Sequence, residues 1–360
     1  MTIIHLSYVR VKSSEPNKWL DEIDFFTGIL NELSKDNIVK SIHCLHYTGV
    51  VKQRGVEYHF LKRNFFQLIF PWSLHVYAKN LKPEIIVVHG LHWGWQILWL
   101  KFQIRKGIKI FVQHHAEKPQ RFPKDRIQQL ADLFIQGYFF VSRQMALPWV
   151  KANQIKSIDK IHEIMEASST FFSVDRIESR KRTNVSGNLI YLWVGRMDEN
   201  KDPTTLVRAF KRFSLENPSA RLYIIFKGGH LEKQIVELVQ NSSQIIWVGS
   251  IVHHDLLYWF NSSDFIISTS HYEGSGIAVC EAMSCGCIPI LTNIPSFNWM
   301  TNDQECGILY SPGDEGELHR ALEASLLLDR EAQHNKTRQL FESNLSFTAI
   351  ANRMLAAVKR

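Results

Sequence analysis

The stretch that decides the fold is Ile266–Leu291, which reads IISTSHYEGSGIAVCEAMSCGCIPIL. It opens with an apolar run typical of a strand and continues through a polar loop that contains glycine. A short helical segment and a second apolar run follow. This order predicts one strand–helix–strand unit of a parallel sheet. Because ligands bind beyond the carboxyl ends of the strands in such units, we expect a binding site in the loop HYEGSG.

Two glycines give this loop its expected binding properties. Gly274 and Gly276 can adopt backbone conformations that other residues avoid, and they let a ligand approach the chain closely. The amides of Ser275, Gly276 and Ile277 then open the helix, where N–H groups have no partner within the helix. A phosphate or a sugar hydroxyl would fit these donors.

Two glutamates flank the turn. Glu273 lies in the loop, and Glu281 lies inside the helix that follows. The rest of this helix is apolar, so we expect it to be buried and Glu281 to need a hydrogen-bond partner. A pair of vicinal ribose hydroxyls would serve as this partner. The alternative partner is a cation in a salt bridge or a loop amide.

A second motif follows the strand LIYLWVGR in the second half of the chain. Gly195 and Arg196 end this strand, and Lys201 precedes the next helix. Because the carboxyl ends of parallel strands share one edge of a sheet, we expect both cations to lie near the EGSG loop and to neutralise a diphosphate. Solvated surface cations are the alternative interpretation.

The two motifs resemble those of family 4 of the retaining glycosyltransferases, which has the two-domain GT-B fold. The family pattern EGxGxxxxEAMxxGxPV stands here as EGSGIAVCEAMSCGCIPI. The resemblance is strong over roughly Leu189–Glu317 and loose over the first half. It implies that Glu273 contacts the donor sugar and that Glu281 binds the ribose. The residues that it implies for the sugar and the diphosphate are Gly195, Arg196, Lys201, Gly274, Ser275, Gly276 and Ile277.

The resemblance also implies a histidine near the donor sugar, within QHHAEKP at Gln113–Pro119. His115 is the candidate and His114 the alternative, because the sequence does not fix the register. A purely structural role for this histidine is the other interpretation. Glu166, at the end of the last strand of the first half, either reaches the same site or caps the turn.

The activity that the resemblance implies is transfer of a hexose-like unit from a nucleotide diphosphate sugar to an acceptor hydroxyl, with retention of anomeric configuration. The acceptor is a glycan, a lipid-linked molecule or a small molecule. We expect fixed cations and helix amides to stabilise the leaving diphosphate, so no cofactor and no divalent metal are required. The alternatives are a nucleotide-sugar epimerase or phosphorylase of the same fold, or a non-catalytic nucleotide-sugar-binding protein.

Strands alternate with helices through both halves, which predicts an α/β fold of two Rossmann-like, doubly wound parallel-sheet domains. In the GT-B fold these domains face each other across a cleft. A chain of 360 residues suits two domains. We expect an acceptor-side domain at 1–178, a polar linker at 179–188, a nucleotide-sugar-binding domain at 189–335, and a C-terminal helix crossing back to the first domain at 336–360.

The composition is that of a globular protein, with 45% hydrophobic and 21% charged residues. A net charge of +7 is compatible with a nucleotide phosphate, an anionic acceptor or an anionic membrane. The sequence contains no nucleic-acid recognition motif, so we expect no nucleic-acid partner. The odd set of five cysteines favours reduced thiols. With no secretory or membrane-spanning segment in the sequence, we expect a cytoplasmic location.

Two segments of the first half combine bulky aromatic residues with Lys and Arg and contain almost no acids. They read VEYHFLKRNFFQLIFPWSLHVYAKNLK and LHWGWQILWLKFQIRKGIK. Interfacial helices have this composition, which predicts peripheral contact with an anionic membrane, at the inner membrane surface. The alternative is that these aromatic residues pack in the core of the first domain.

Overall fold

The computed structural model describes residues 1–240 and 242–359, and the chain divides into two compact units. Unit 1 comprises Met1–Ser168 and Phe347–Arg360, of which Arg360 lies outside the described residues. Unit 2 comprises Ser169–Ser346. Among the described residues, no helix is both long and apolar enough to cross a membrane.

Unit 1 is built on an eight-stranded sheet. Its strands are β1 (Thr2–Val11), β2 (Ile38–Leu45), β3 (Gly49–Gln53), β4 (Val56–Phe60), β5 (Ile85–His89), β6 (Lys109–Gln113), β7 (Gly137–Phe140) and β8 (Ile161–Glu163). The strand order is β3-β4-β2-β1-β5-β6-β7-β8. Neighbouring strands are parallel except for β3 and β4. The first helices are α1 (Pro16–Glu22), α2 (Asp24–Leu33), α3 (Phe65–Ile69), α4 (Trp72–Asn80), α5 (Gly94–Gln103), α6 (Lys124–Asp132) and α7 (Arg143–Lys151).

Unit 2 is built on a six-stranded parallel sheet. Its strands are β9 (Leu189–Gly195), β10 (Ala220–Phe226), β11 (Ile245–Gly249), β12 (Phe265–Ser268), β13 (Ile288–Thr292) and β14 (Ile308–Tyr310). The strand order is β11-β10-β9-β12-β13-β14. The remaining helices are α8 (Arg176–Thr183), α9 (Pro203–Glu216), α10 (Glu232–Val239), α11 (Leu256–Ser262), α12 (Ile277–Ser284), α13 (Pro295–Met300), α14 (Glu315–Ser325), α15 (Arg330–Leu340) and, in unit 1, α16 (Phe347–Lys359). Both predicted doubly wound sheets are therefore confirmed.

The core of unit 2 shows why its central strand carries an unbroken apolar run. Along β9, Tyr191 and Trp193 pack into one hydrophobic cluster, whereas Ile190 and Leu192 pack into a second. Successive side chains of a strand point to opposite faces of the sheet, so each cluster covers one face. A parallel sheet that is covered on both faces needs apolar residues at every position of its central strands.

The predicted linker at 179–188 differs from the structure, because residues up to Thr183 belong to helix α8. Asp175 is its N-cap and accepts a hydrogen bond from the Glu178 amide (2.8 Å). Thr183 Oγ1 lies 2.9 Å from Ser262 Oγ, which ties α8 to α11. The segment has no apolar face, so periodicity did not reveal a helix that its cap and polar contacts stabilise. The division between the units falls at Ser168, ahead of the predicted linker.

The hairpin β3–β4 is an unpredicted element. Its strands are joined by Arg54 and Gly55, whose φ angles are 48° and 83°. Positive φ at both central residues is typical of a two-residue hairpin turn. Val56–Phe60 pairs in parallel with β2, so the first part of the predicted interfacial segment is a strand. A short aromatic run of this kind does not distinguish strand from helix by periodicity alone.

Candidate functional site

The carboxyl edge of the unit 2 sheet has its switch point between β9 and β12. The chain moves outward from β9 to β11 and then returns to β12 on the other side of β9. The loops that leave the two strands diverge at this point and open a crevice where ligands bind. Gly195 ends β9, and the loop after β12 contains Glu273, so both predicted motifs meet at this edge.

Lys201 and Glu273 form an ion pair, in which the ammonium Nζ donates to Oε1. The two side chains are 23% and 13% exposed. Two further bonds join their loops: the His271 amide donates to the Asn200 carbonyl (2.8 Å), and Asn200 Nδ2 donates to the Tyr272 carbonyl (3.0 Å). The structure therefore brings together a predicted diphosphate-binding cation and the predicted sugar-binding carboxylate.

Arg196 has a more open environment. Its side chain is 68% exposed, and its guanidinium pairs with Asp198 at 2.9 Å. The carboxylate of Asp198 also accepts a hydrogen bond from the Lys201 amide (3.0 Å). Exposed ion pairs contribute only about 0–1 kcal/mol. Arg196 can therefore leave Asp198 for an anionic ligand at little loss of stability.

Gly276 sets the start of α12. It is the N-cap residue with φ 55°, and a Cβ atom at this position would lie 2.5 Å from Cε1 of Phe297. The turn therefore strongly favours glycine. Ser275 and Gly276 are buried, whereas Ile277 is partly exposed. The amides of Ile277 and Ala278 come before the first hydrogen bonds of α12, in which the Val279 and Cys280 amides donate to the Gly276 carbonyl.

Substitution Gly276→Ala is expected to destabilise the protein by about 1–3 kcal/mol, because it combines a left-handed backbone with a steric overlap. Thermal unfolding of the full chain measures this change. Gly316→Ala is the matched control, since Gly316 lies in α14 with no contact closer than 3.3 Å for a new Cβ. The control is expected to be neutral or stabilising. Equal stability of Gly276→Ala and the wild type would contradict this description of the turn.

Glu281 is the buried carboxylate that the sequence predicts, and its side chain is 6% exposed. His253 Nε2 lies 2.6 Å from Glu281 Oε1. The imidazole of His253 is 57% exposed and lies 5.2 Å from the ring of Phe171, measured between centroids. The residue was not among the predicted site residues. Its place directly after β11, at the same sheet edge as Gly195, could have identified it.

His115 and Glu166 lie in unit 1 and hydrogen bond to each other through His115 Nδ1. His115 Nε2 lies 3.0 Å from His89 Nδ1, and the His115 amide donates to Glu117 (2.7 Å). Burial alone would lower the pKa of His115, but the neighbouring Glu166 carboxylate outweighs it and raises this pKa above its ordinary value of 6.5. Both ring nitrogens of His115 are therefore engaged within unit 1.

His114 has a different environment, as a residue of the core. It is 1% exposed and stacks on Phe140 at a centroid distance of 4.4 Å. Its Nε2 lies 2.9 Å from the Glu117 carbonyl. Of the two adjacent histidines, His115 is the one with an accessible side chain, at 38% exposure.

The predicted site residues thus fall into two groups. Arg196, Lys201, Glu273, the start of α12 and Glu281 lie in unit 2, whereas His115 and Glu166 lie in unit 1. Among the described residues, no group of three or more His, Cys, Asp or Glu side chains is placed to hold a metal ion. The unit 2 residues can supply positive charge, helix amides and two carboxylates to one ligand.

Comparisons with known proteins identify similar sequences and similar folds. Residues 174–342 match the family model described as Glycosyl transferases group 1. The O-antigen chain mannosyltransferase B of Escherichia coli is 27% identical over 128 residues, which are 34% of this chain and 33% of that protein. The chain spans about a third of the length of the first curated relatives that it matches.

Two solved structures resemble the whole chain. Anabaena HepE in complex with UDP has a TM-score of 0.75 and 13% sequence identity, with 100% of both chains covered. Sucrose-phosphate synthase from Thermosynechococcus elongatus has a TM-score of 0.72 and 17% identity, with 100% of this chain and 98% of that chain covered. At such identities the likeness shows the fold alone, and it confirms the predicted GT-B architecture. Residues 174–342, which carry both motifs and the carboxyl-edge site, belong to the Glycosyl transferases group 1 family.

Proposed function

We propose that the protein is a retaining glycosyltransferase that moves a sugar from a nucleotide diphosphate sugar to an acceptor hydroxyl. The observation that carries this proposal is the carboxyl edge of unit 2, where the Lys201–Glu273 pair, the start of α12 and buried Glu281 follow β9 and β12. These groups suit the diphosphate, the sugar and the ribose of one ligand. The group 1 membership of the same residues supports it.

In the proposed reaction, negative charge develops on the diphosphate as the sugar leaves it. Arg196, Lys201 and the first-turn amides of α12 stabilise this charge. The bond between the anomeric carbon and the phosphate oxygen breaks, and a bond to the acceptor oxygen forms on the same face. The acceptor proton passes to the departing phosphate, so the anomeric configuration is retained. Glu273 binds hydroxyls of the sugar, and Glu281 binds those of the ribose.

Incubation with a panel of radiolabelled UDP, GDP and ADP sugars tests the proposal, with and without acceptors of glycan, lipid-linked and small-molecule type. We expect labelled acceptor and free nucleoside diphosphate. An isomerised nucleotide sugar without acceptor would instead indicate an epimerase. Sugar phosphate formed with inorganic phosphate would indicate a phosphorylase, and binding without turnover a non-catalytic protein.

Activity is expected to survive chelation with EDTA, because fixed cations and helix amides of the protein already face the diphosphate in this proposal. The measurement is the initial rate with and without EDTA at constant ionic strength. Complete loss of activity that Mg²⁺ or Mn²⁺ restores would contradict this mechanism. An undiminished rate is the expected result.

We also propose that unit 1 docks on an anionic membrane surface, at the inner face of a membrane in the cytoplasm. Exposed aromatic side chains form an aromatic patch on α3, α4 and α5. They are Phe65, Phe66, Phe70, Trp72, Trp95 and Phe102. These six lie at the surface of unit 1, whereas Tyr58 and Phe60 of the first segment pack in its core, so the core alternative holds for only part of the aromatic residues.

Packing between α3 and α5 joins two parts of the aromatic patch. Trp95 Nε1 donates to the Ile69 carbonyl (2.9 Å), and the ring of Phe70 lies 6.2 Å from that of Trp99. Trp95, Trp99 and Phe102 are spaced so that they share one face of α5. The part of the patch on α3 and α5 therefore lies on helices that contact each other, and Trp72 opens α4 two residues after Phe70.

Cations adjoin the aromatic residues of the patch along the chain, a composition that suits an anionic surface. They are Lys62, Arg63, Lys101, Arg105 and Lys106. Within residues 1–240 and 242–359, none of them forms an ion pair with a carboxylate. Each cation near an anionic bilayer contributes about 1 kcal/mol. Aromatic side chains at the headgroup level add apolar burial.

The double substitution Phe66→Ala, Phe70→Ala is expected to reduce vesicle binding at least tenfold, because burying each aromatic side chain contributes about 1.5–3 kcal/mol. Co-sedimentation at low salt measures it, with vesicles of phosphatidylcholine alone or mixed equally with phosphatidylglycerol. Leu327→Ala is the control, since Leu327 is 87% exposed on unit 2. Equal recovery of the wild type in the supernatant with both vesicles would contradict membrane docking.

A further inference from the structure

Three histidines and one glutamate form a continuous hydrogen-bonded line through unit 1, called the histidine line here. His5 Nδ1 lies 3.0 Å from His89 Nε2, and His89 Nδ1 lies 3.0 Å from His115 Nε2. His115 Nδ1 then hydrogen bonds to the Glu166 carboxylate. The four residues come from β1, the end of β5, the loop after β6 and the segment after β8. The order of strands in the sheet therefore assembles a polar line that no local sequence pattern shows.

The two ends of the histidine line favour one direction of its hydrogen bonds. A neutral imidazole has one N–H donor and one acceptor nitrogen. The Glu166 carboxylate accepts, so the proton of His115 lies on Nδ1 and its Nε2 accepts from His89. His89 Nε2 in turn accepts from His5 Nδ1. At the far end, His5 Nε2 is buried and has no hydrogen-bond partner among the residues that the structure describes.

This last atom supports the same direction, because a buried acceptor without a partner is tolerated better than a buried N–H without an acceptor. Each of the three rings then carries its proton on Nδ1. In water a neutral imidazole of histidine favours the other nitrogen, Nε2. The line therefore selects the less common tautomer three times in succession.

The surroundings keep the inner part of the histidine line neutral. Burial, with nearby His43 as a second cause, lowers the pKa of His5 to about 3. Burial and the neighbouring histidines His115, His5 and His43 also hold the pKa of His89 well below its ordinary value. Phe26 of α2 packs against the rings of His5 and His89, at centroid distances of 5.7 and 5.0 Å.

At the outer end, four titratable groups face His115: Glu166, Glu117, His114 and His89. Of these, Glu166 contacts its ring through a carboxylate, whereas Glu117 contacts its backbone amide. Glu166 is therefore the carboxylate that can select which ring nitrogen of His115 carries the proton.

We propose that Glu166 is a positioning residue that fixes the tautomer and ring orientation of His115 and, through the histidine line, the tautomers of His89 and His5. Protonation of His115 then reverses the line. Both His115 nitrogens become donors, so one proton passes from His89 Nδ1 to His115 Nε2 and one from His5 Nδ1 to His89 Nε2. The proton taken up from solvent ends on His5 Nε2, and the positive charge lies on His115.

This reversal links the charge of His115 to the tautomer of a fully buried ring. His5 and His89 stay neutral, but their proton positions follow the titration of His115. The line also opposes charging of His115, because the reversed state leaves His5 Nε2–H without an acceptor, whereas Glu166 favours charging. The inference concerns proton positions within unit 1 and does not depend on the proposed sugar transfer.

Nuclear magnetic resonance of the full chain, labelled with ¹⁵N-histidine, tests the proposal through long-range correlations between ring protons and nitrogens. Single substitutions His5→Gln, His89→Gln and His115→Gln assign the signals. Above the His115 titration midpoint, we expect protonated Nδ1 and unprotonated Nε2 in all three rings. Below it, we expect His89 and His5 to carry the proton on Nε2. A neutral Nε2–H tautomer at His89 or His5 above the midpoint would overturn the proposal.

Two variants separate positioning from a structural role. Glu166→Gln keeps an acceptor oxygen but removes the charge, so the tautomers should persist while the His115 midpoint falls by about 1–3 pH units. Glu166→Ala removes the acceptor and should abolish uniform Nδ1 protonation. Glu163, the last residue of β8, accepts a hydrogen bond from the Arg143 amide, and Glu163→Gln should change neither the tautomers nor the midpoint. An unchanged His115 midpoint in Glu166→Gln would overturn the proposal even if Glu166→Ala fails to fold. These signals do not depend on sugar transfer, so they would be the same in a protein without that activity.

Discussion

Lys201→Ala is expected to weaken binding of the best nucleoside diphosphate by about 10- to 100-fold and to leave binding of the parent nucleoside nearly unchanged. A hydrogen bond to a charged group contributes about 1.5–3 kcal/mol, and each 1.4 kcal/mol is a tenfold change in affinity. Lys201 is also the partner of Glu273, so its removal leaves a carboxylate that is 13% exposed facing an anionic ligand. Calorimetry with UDP, GDP, ADP and their nucleosides measures both effects.

The controls for Lys201→Ala separate a site effect from a general loss of positive charge. Lys211→Ala removes a cation of α9 whose Nζ donates to the Leu238 carbonyl (2.8 Å), and it should bind every ligand as the wild type does. Adding Glu273→Gln to Lys201→Ala should recover part of the affinity, because it removes the uncompensated carboxylate. Wild-type affinity of Lys201→Ala for the diphosphate would show that the cation does not contact it.

Glu281→Ala is expected to weaken binding of the same nucleoside diphosphate by about 10- to 100-fold, again through loss of charge-assisted hydrogen bonds. The effect should disappear for the 2′,3′-dideoxy analogue, which has no ribose hydroxyls to donate. The affinity of Glu281→Gln for the nucleoside diphosphate should lie between those of the wild type and Glu281→Ala, because its amide oxygen accepts hydrogen bonds but carries no charge. Competition calorimetry with the two ligands measures the difference directly.

The dideoxy comparison also tests the alternative that Glu281 acts only by holding His253. In that case its removal would disturb the loop after β11, and both ligands would lose the same affinity. Thermal unfolding of Glu281→Ala shows whether the substitution also affects stability. Equal losses for the two ligands would assign Glu281 a structural role and leave the ribose contact without support.

The architecture could be predicted because its causes are local. Strands such as β9 and β13 are largely apolar runs, and the left-handed turn at Gly276 favours glycine. Where polar caps and tertiary contacts stabilise an element, the hydrophobic pattern of the sequence did not reveal that element. The helix α8 has no apolar face, so its charged residues predicted a linker. Hairpin β3–β4 was missed because a short aromatic run suits more than one element.

The site could be predicted in part for the same reason. Sheet topology brings the ends of β9 and β12 to one edge, so the proximity of Lys201 to Glu273 follows from the order of strands and loops. The partner of Glu281 did not follow, because His253 reaches it from the end of β11, and two strands of the sheet lie between β11 and β12. The histidine line was not predicted either, since His5, His89 and His115 meet only when β1, β5 and β6 pair.

A crystal structure of the full chain with a bound nucleoside diphosphate tests the central claim most directly, because it locates each part of the ligand. The account predicts the diphosphate at the first turn of α12 with Lys201 and Arg196 in contact, and the ribose hydroxyls on Glu281. In that complex Lys201 should bridge Glu273 and the phosphate. A nucleotide bound away from the carboxyl edge of unit 2, or a ribose that does not reach Glu281, would contradict it.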